Sequence, residues 1–91
     1  YYILLALVEP MHGYGIMQQT AALSNGRVRL SAGTLYGALA SLLDKGWVEQ
    51  LPEEGRKKDY RITPAGHEVL KLELLRLAEL LENGRNILQN E

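Results

Sequence analysis

The chain has 91 residues, 46% of them hydrophobic, with no cysteine and a formal net charge of −1. That length allows one domain with a thin core. The lack of cysteine rules out disulfides and thiolate metal sites, and no apolar run approaches the roughly 18 residues of a membrane span. A net charge of −1 counts against nucleic acid as a partner, since many DNA-binding domains are plainly basic, unless charge is placed locally. Residues 52–63 hold Arg56, Lys57, Lys58 and Arg61 against three carboxylates, whereas residues 64–91 carry an acid excess.

Tyr1–Val8 is apolar nearly throughout. A buried helix whose start has been cut off and a buried strand both fit, and periodicity does not separate them at this length. The chain opens on Tyr1 rather than Met, so residues are expected to precede it; no signal-peptide pattern is visible. Pro10 ends the element, because the residue before a proline avoids the helical region. Residues 13–24 read as a second helix, with Tyr14, Met17 and Ala21 on one face and Ile16 and Leu23 widening it. Asn25-Gly26 marks a turn. Arg27-Val28-Arg29-Leu30 alternates polar and apolar as a short half-buried strand does. Arg27 and Arg29 then share a face that is either solvated or in contact with phosphate, and Arg29 is a candidate DNA-binding residue.

Ser31–Gly46 is the stretch the rest is organised around. Ser31 can cap a helix by accepting a first-turn N–H, Leu35, Leu39 and Leu42 form an apolar stripe widened by Leu43, and Gly46 suits a left-handed stop. The opposite face is Ala32, Gly33, Thr34, Tyr36, Gly37, Ala40 and Ser41. It is small and uncharged, with hydroxyls near its start. Such a face can lie in a DNA groove; packing against the chain's own domain is the alternative.

Trp47–Leu51 reads as a strand, residues 52–56 as a turn, and residues 57–62 as a second strand with Lys58, Tyr60 and Ile62 on one face. The hairpin tip carries Arg56, Lys57 and Lys58, which supply charge to phosphates without reading sequence or protect an edge strand. Thr63-Pro64 opens the last helix as cap and first residue. Leu70, Leu74, Leu77, Leu81 and Leu88 form a seam along it, while Leu72 and Leu75 lie off the seam. A domain this small has too little surface to cover so much leucine, so the tail is expected to dimerise. The two histidines, His12 and His67, have no carboxylate or cysteine in ligand spacing, and neither a nucleophile–base pair nor a phosphate loop is present. No enzyme, catalytic residue, metal or cofactor is therefore expected.

The element order gives a mainly α fold with a small β-hairpin. It is a winged helix-turn-helix over residues 1–63 plus a C-terminal dimerisation helix over residues 64–91. MHGYGI at 11–16, SAGTLYGALASLLDKGWVE at 31–49 and DYRITPAGHEVL at 59–70 resemble the PadR family of bacterial transcriptional regulators, nearly across the whole chain. The resemblance implies a cytoplasmic, homodimeric repressor of double-stranded DNA. Its third helix enters the major groove, its wing touches the backbone and its last helix crosses to the partner subunit.

By position, Ser31, Gly33, Thr34 and Tyr36 would lie at the DNA, with Arg56, Lys57 and Lys58 on the wing. The single tail helix looks like the shorter branch, in which some members bind small hydrophobic effectors between subunits. The chain departs from the family at Gly37, often proline there, and at Ala40 and Ser41, where basic residues are common. Residues 64–91 contain no Trp, Tyr or Phe. Two reading helices about one helical turn (~34 Å) apart imply an inverted-repeat operator. The rival reading is a winged helix that binds protein and not DNA, which the uncharged face of 32–41 also suits.

Overall fold

The computed structural model describes residues 1–52, 55 and 58–89. Seven elements follow in order: α1 (Tyr2–Ala6), β1 (Met11–His12), α2 (Gly13–Leu23), α3 (Ala32–Asp44), β2 (Val48–Gln50), β3 (Asp59–Ile62) and α4 (Pro64–Gln89). The opening apolar stretch is the helix of its two readings, with Leu4, Ala6 and Leu7 buried. The Leu7 carbonyl accepts the Ile62 N–H at 2.9 Å, which ties the end of α1 to the end of β3.

The three strands form one antiparallel sheet in the order β1-β3-β2. Val48 pairs with Ile62 and Gln50 with Tyr60 on one side of β3, and Met11 pairs with Tyr60 on the other. The hairpin is therefore as expected, but the third strand is not. Arg27–Leu30 is irregular, and Met11–His12 takes the edge of β3 instead. The cause is local. Ser24 Oγ accepts the Val28 N–H at 2.9 Å, which satisfies the backbone where a ladder bond would have been made.

The core joins Leu4, Ala6, Leu7, Ile16, Leu35, Leu39, Val48, Tyr60, Ile62 and Leu70. On α3 the expected leucine stripe is the buried one, with Leu42 and Leu43 packed at its margin. On α2 the buried face is rotated from the expected one. Gly13, Ile16 and Thr20 are buried, whereas Tyr14 is 61% exposed and Leu23 is also exposed. The first residue of the helix, Gly13, lies against Leu35 and Tyr36 of α3.

Thr63 and Gly66 fasten α4 to the domain. Thr63 Oγ1 accepts the Gly66 N–H at 3.1 Å, closing the cap, and donates to the Gly46 carbonyl at 2.6 Å. The Trp47 carbonyl occupies the space in which a Gly66 side chain would stand. The Thr-x-x-Gly spacing of residues 63–66 is thus one device: a hydroxyl that caps α4 while reaching back to the end of α3, and a bare Cα that lets the two backbones meet. Gly46 itself has φ 74°, the left-handed stop expected for α3.

Along α4, Gly66 and Leu70 are buried, and every residue from Leu74 to Gln89 is exposed. Leu70, expected in the tail seam, is 4% exposed and belongs to the domain's own core. It lies within the first two turns, where α4 crosses α1 and β3. At about 1.5 Å per residue, the exposed segment runs roughly 24 Å beyond that crossing. It accounts for the 58 × 27 × 19 Å extents of the chain.

Candidate nucleic-acid interface

The start of α3 is built by one hydroxyl pair. Ser31 is extended (φ −75°, ψ 161°). Its Oγ accepts the Thr34 N–H at 3.2 Å and donates to Thr34 Oγ1 at 3.0 Å. The Ser31 oxygen therefore closes the cap, and the two hydroxyls expected at DNA near the helix start are joined to each other.

Ala32, Gly33, Thr34, Tyr36, Gly37, Ala40 and Ser41 are all exposed. A Cβ at Gly33 or Gly37 would meet nothing within 4 Å, so the face is low and open around both. Tyr36 is 51% exposed. Its ring leans toward α2, where Gly13 lies beneath it. Arg29 stands two residues before the Ser31 cap. Without the expected strand, it curls over the Asn25-Gly26 turn and donates from Nε to the Gly26 carbonyl at 3.3 Å. Asn25 and Gly26 have φ 54° and 77°, the left-handed pair that a tight turn between two helices requires.

Lys58 stands exposed at the foot of β3; Arg56 and Lys57 lie outside the described residues. Further down the wing, Glu49 and Arg61 face each other across the two strands, and Arg61 Nε donates to Glu49 Oε1 at 3.0 Å. Arg61 is thereby paired with a carboxylate on the neighbouring strand.

Leu74, Leu77, Leu81 and Leu88 of the expected tail seam are all exposed, as are Leu72, Leu75, Leu80 and Ile87. Beside the root of this face, a cavity of about 220 Å³ opens between α1, the end of α3 and α4. Tyr1, Leu4, Leu42, Trp47, Leu70 and Glu73 line it. Its aromatic groups come from α1's flank and the α3–β2 turn, not from the tail. The Arg76 guanidinium, hydrogen-bonded to Glu73 Oε2 at 3.0 Å, holds the Glu73 carboxyl below the usual carboxylate range.

Two structural roles are invisible to sequence reasoning. Gly13 opens α2 and is a steric gap beneath Tyr36. Thr63 reads as a cap and is also a brace to Gly46. Nothing in the spacing of a single sequence signals either, since both depend on where a distant backbone comes to rest. Among the described residues, no helix is long and apolar enough to cross a membrane.

Helix α2, the tight turn, helix α3 with its bare outer face and the β2–β3 hairpin make a winged helix-turn-helix. The family model described as the transcriptional regulator PadR-like family matches residues 3–72. The chain belongs to this family, which is one of transcription regulators and not of enzymes.

A protein of transposon Tn4556 from Streptomyces fradiae, described as an uncharacterized 37.1 kDa protein, is 43% identical over 79 residues. That match covers 86% of this chain and 22% of that protein, so the chain spans about a fifth of its relative's length. Among solved structures, a transcriptional regulator from Clostridium thermocellum is similar at 30% identity and a TM-score of 0.72, over 89% of this chain and 85% of that one. A PadR family transcriptional regulator from Eggerthella lenta is similar at 25% identity and a TM-score of 0.78, over 98% and 80%.

Proposed function

We infer that this chain represses transcription as a homodimer bound to double-stranded DNA. In this reading residues 1–63 contact DNA and residues 64–91 hold the two subunits together. Helix α3 enters the major groove and the wing lies along the backbone. The observation that carries the reading is the outer face of α3, exposed and free of any charged side chain over residues 32–41. A face of small groups and hydroxyls lets a helix backbone come close to base edges, while charges at the wing supply the phosphate contacts. Without Arg, Lys, Asn or Gln on that face the usual bidentate base pairings are missing. Hydroxyl contacts from Thr34 and Tyr36 and the shape of the DNA then carry the preference. Ser31 serves by capping the helix, Gly33 by its lack of a side chain, and Arg29 by phosphate contact beside the helix start.

The apolar face of α4 is the seam of the dimer, through Leu74, Leu77, Leu81 and Leu88. Release by a small hydrophobic effector belongs to the same reading. The cavity beside Trp47 and Leu70 supports it, because it adjoins both the seam and the end of α3. An effector there acts only through different affinity for two spacings of the reading helices.

Charge placed on the outer face of α3 tests the DNA reading. Gly37→Glu with Ala40→Glu faces open solvent and leaves the core leucines untouched. The variant is expected to stay folded by circular dichroism and to lose its shift of promoter DNA in a gel. Retained DNA binding removes α3 from the interface. A wild-type chain that shifts no DNA at low salt, yet captures a protein through the same face, favours the winged helix as a protein-interaction module.

A further inference from the structure

We propose that Gly13 is a positioning residue for DNA reading. By lacking a Cβ it lets the Tyr36 ring rest on the first turn of α2, and this fixes where the phenol hydroxyl stands on the outer face of α3. The inference rests on the reading of α3 as the DNA-facing helix. A Cβ at Gly13 would stand 2.5 Å from Tyr36 Oη and 3.1 Å from Tyr36 Cζ, against 3.5 Å from Leu35 Cδ2. The contact with Leu35 is an ordinary one, so the core does not demand glycine here. Nor does the backbone, since Gly13 is absent from the positive-φ residues. Alanine also suits a helix better than glycine. What excludes a side chain at residue 13 is therefore the Tyr36 ring.

Gly66 makes the contrast plain. There the blocking group is the Trp47 carbonyl, part of the backbone, so a methyl group strains the fold. At Gly13 the blocking group is the free end of a side chain. A methyl group there swings the phenol away and leaves the helices in place. Tyr36 is half exposed, and its hydroxyl makes no hydrogen bond among the described residues, so both its donor and its acceptor are available to DNA. Its value in reading sequence depends on being held in one place, because an ordered side chain loses less freedom on binding.

The test uses the full chain, a duplex carrying the site that wild type selects from a random pool, and a scrambled duplex of equal length. Gly13→Ala is expected to weaken binding to the selected duplex about fivefold, the worth of one hydrogen bond. Binding to the scrambled duplex should be unchanged, and the melting temperature unchanged or raised. Tyr36→Phe should show the same loss, and Gly13→Ala in the Tyr36→Phe background no further loss. A nuclear Overhauser effect between the Gly13 α-protons and the Tyr36 ring reports the contact without DNA. It is expected in wild type and lost in Gly13→Ala. Two results overturn the proposal: additive losses in the double variant, or selectivity kept by Gly13→Ala while Tyr36→Phe loses it. Wild type that selects no sequence refutes the DNA reading itself, and the inference with it. The first two outcomes leave that reading standing.

Discussion

Replacing Leu74 and Leu81 by glutamate separates assembly from folding. Leu74 is 45% exposed and Leu81 56%, which together amount to one whole leucine's surface in water. Covering a leucine fully is worth about 2 kcal/mol, so a partner helix recovers about 2 kcal/mol per chain and about 4 kcal/mol per dimer from these two positions. Losing that raises the dissociation constant roughly a thousandfold. Four added carboxylates facing one another push further in the same direction. The helix itself should survive, because glutamate and leucine have similar helix propensities and neither position reaches the core.

Sedimentation velocity at micromolar concentration is the assay. Wild type should sediment as a dimer and Leu74→Glu/Leu81→Glu as a folded monomer with unchanged far-ultraviolet dichroism. Leu70→Glu is the contrasting control. At 4% exposure its charge has no route to water, and the chain should unfold, not merely dissociate. A double variant that stays dimeric refutes the assignment of the α4 face to the subunit seam.

Gly66→Ala should destabilise the fold by about 1–3 kcal/mol, the range for forced overpacking, because the Trp47 carbonyl must give way; thermal melting measures it, and an unchanged melt contradicts the brace between α3 and α4. Arg56, Lys57 and Lys58 changed together to alanine should lower the slope of log affinity against log salt by about 3 and weaken all duplexes alike; an unchanged slope takes the wing off the phosphates. Arg76→Gln should return the Glu73 carboxyl to the ordinary carboxylate range in a carbon NMR titration, since the hydrogen bond from Arg76 is the main cause of its lowering. The folded pKa lies below the unfolded one. What the pair adds to stability is therefore present at neutral pH and lost as pH falls through that lowered value, and a titration that does not move contradicts the pairing.

The fold was legible where local signals and packing agree. The Ser31 cap, the leucine stripe of α3, the left-handed Gly46 and the Thr63-Pro64 start of α4 are each written in adjacent residues, and the structure has them all. The phase of α2 was not legible. Tyr14 is more apolar in bulk than Gly13, so a pattern of size and hydrophobicity turns the helix the wrong way; the small residue is the inner one, against Leu35 and Tyr36 of α3. The strand at residues 27–30 fails for a related reason. Alternation there is real, but Ser24 consumes the Val28 N–H, and Met11–His12 supplies the β3 edge from a stretch too short to show a period.

On the candidate site, the uncharged face of α3 could be read in full, because exposure follows directly from the stripe opposite. The pairing of Ser31 with Thr34 could not, since it depends on the rotamers that bring the two hydroxyls together. Leu70 fits the tail seam by spacing alone; the crossing of α4 over the domain claims it for the core, which no helical period reveals.

Selection of bound duplexes from a random pool by the purified chain tests the central claim most directly. If paired α3 helices meet one face of the duplex, the enriched sequences form an inverted repeat with half-site centres about one helical turn apart. Recovery of single half-sites, or no enrichment over the input pool at low salt, contradicts it.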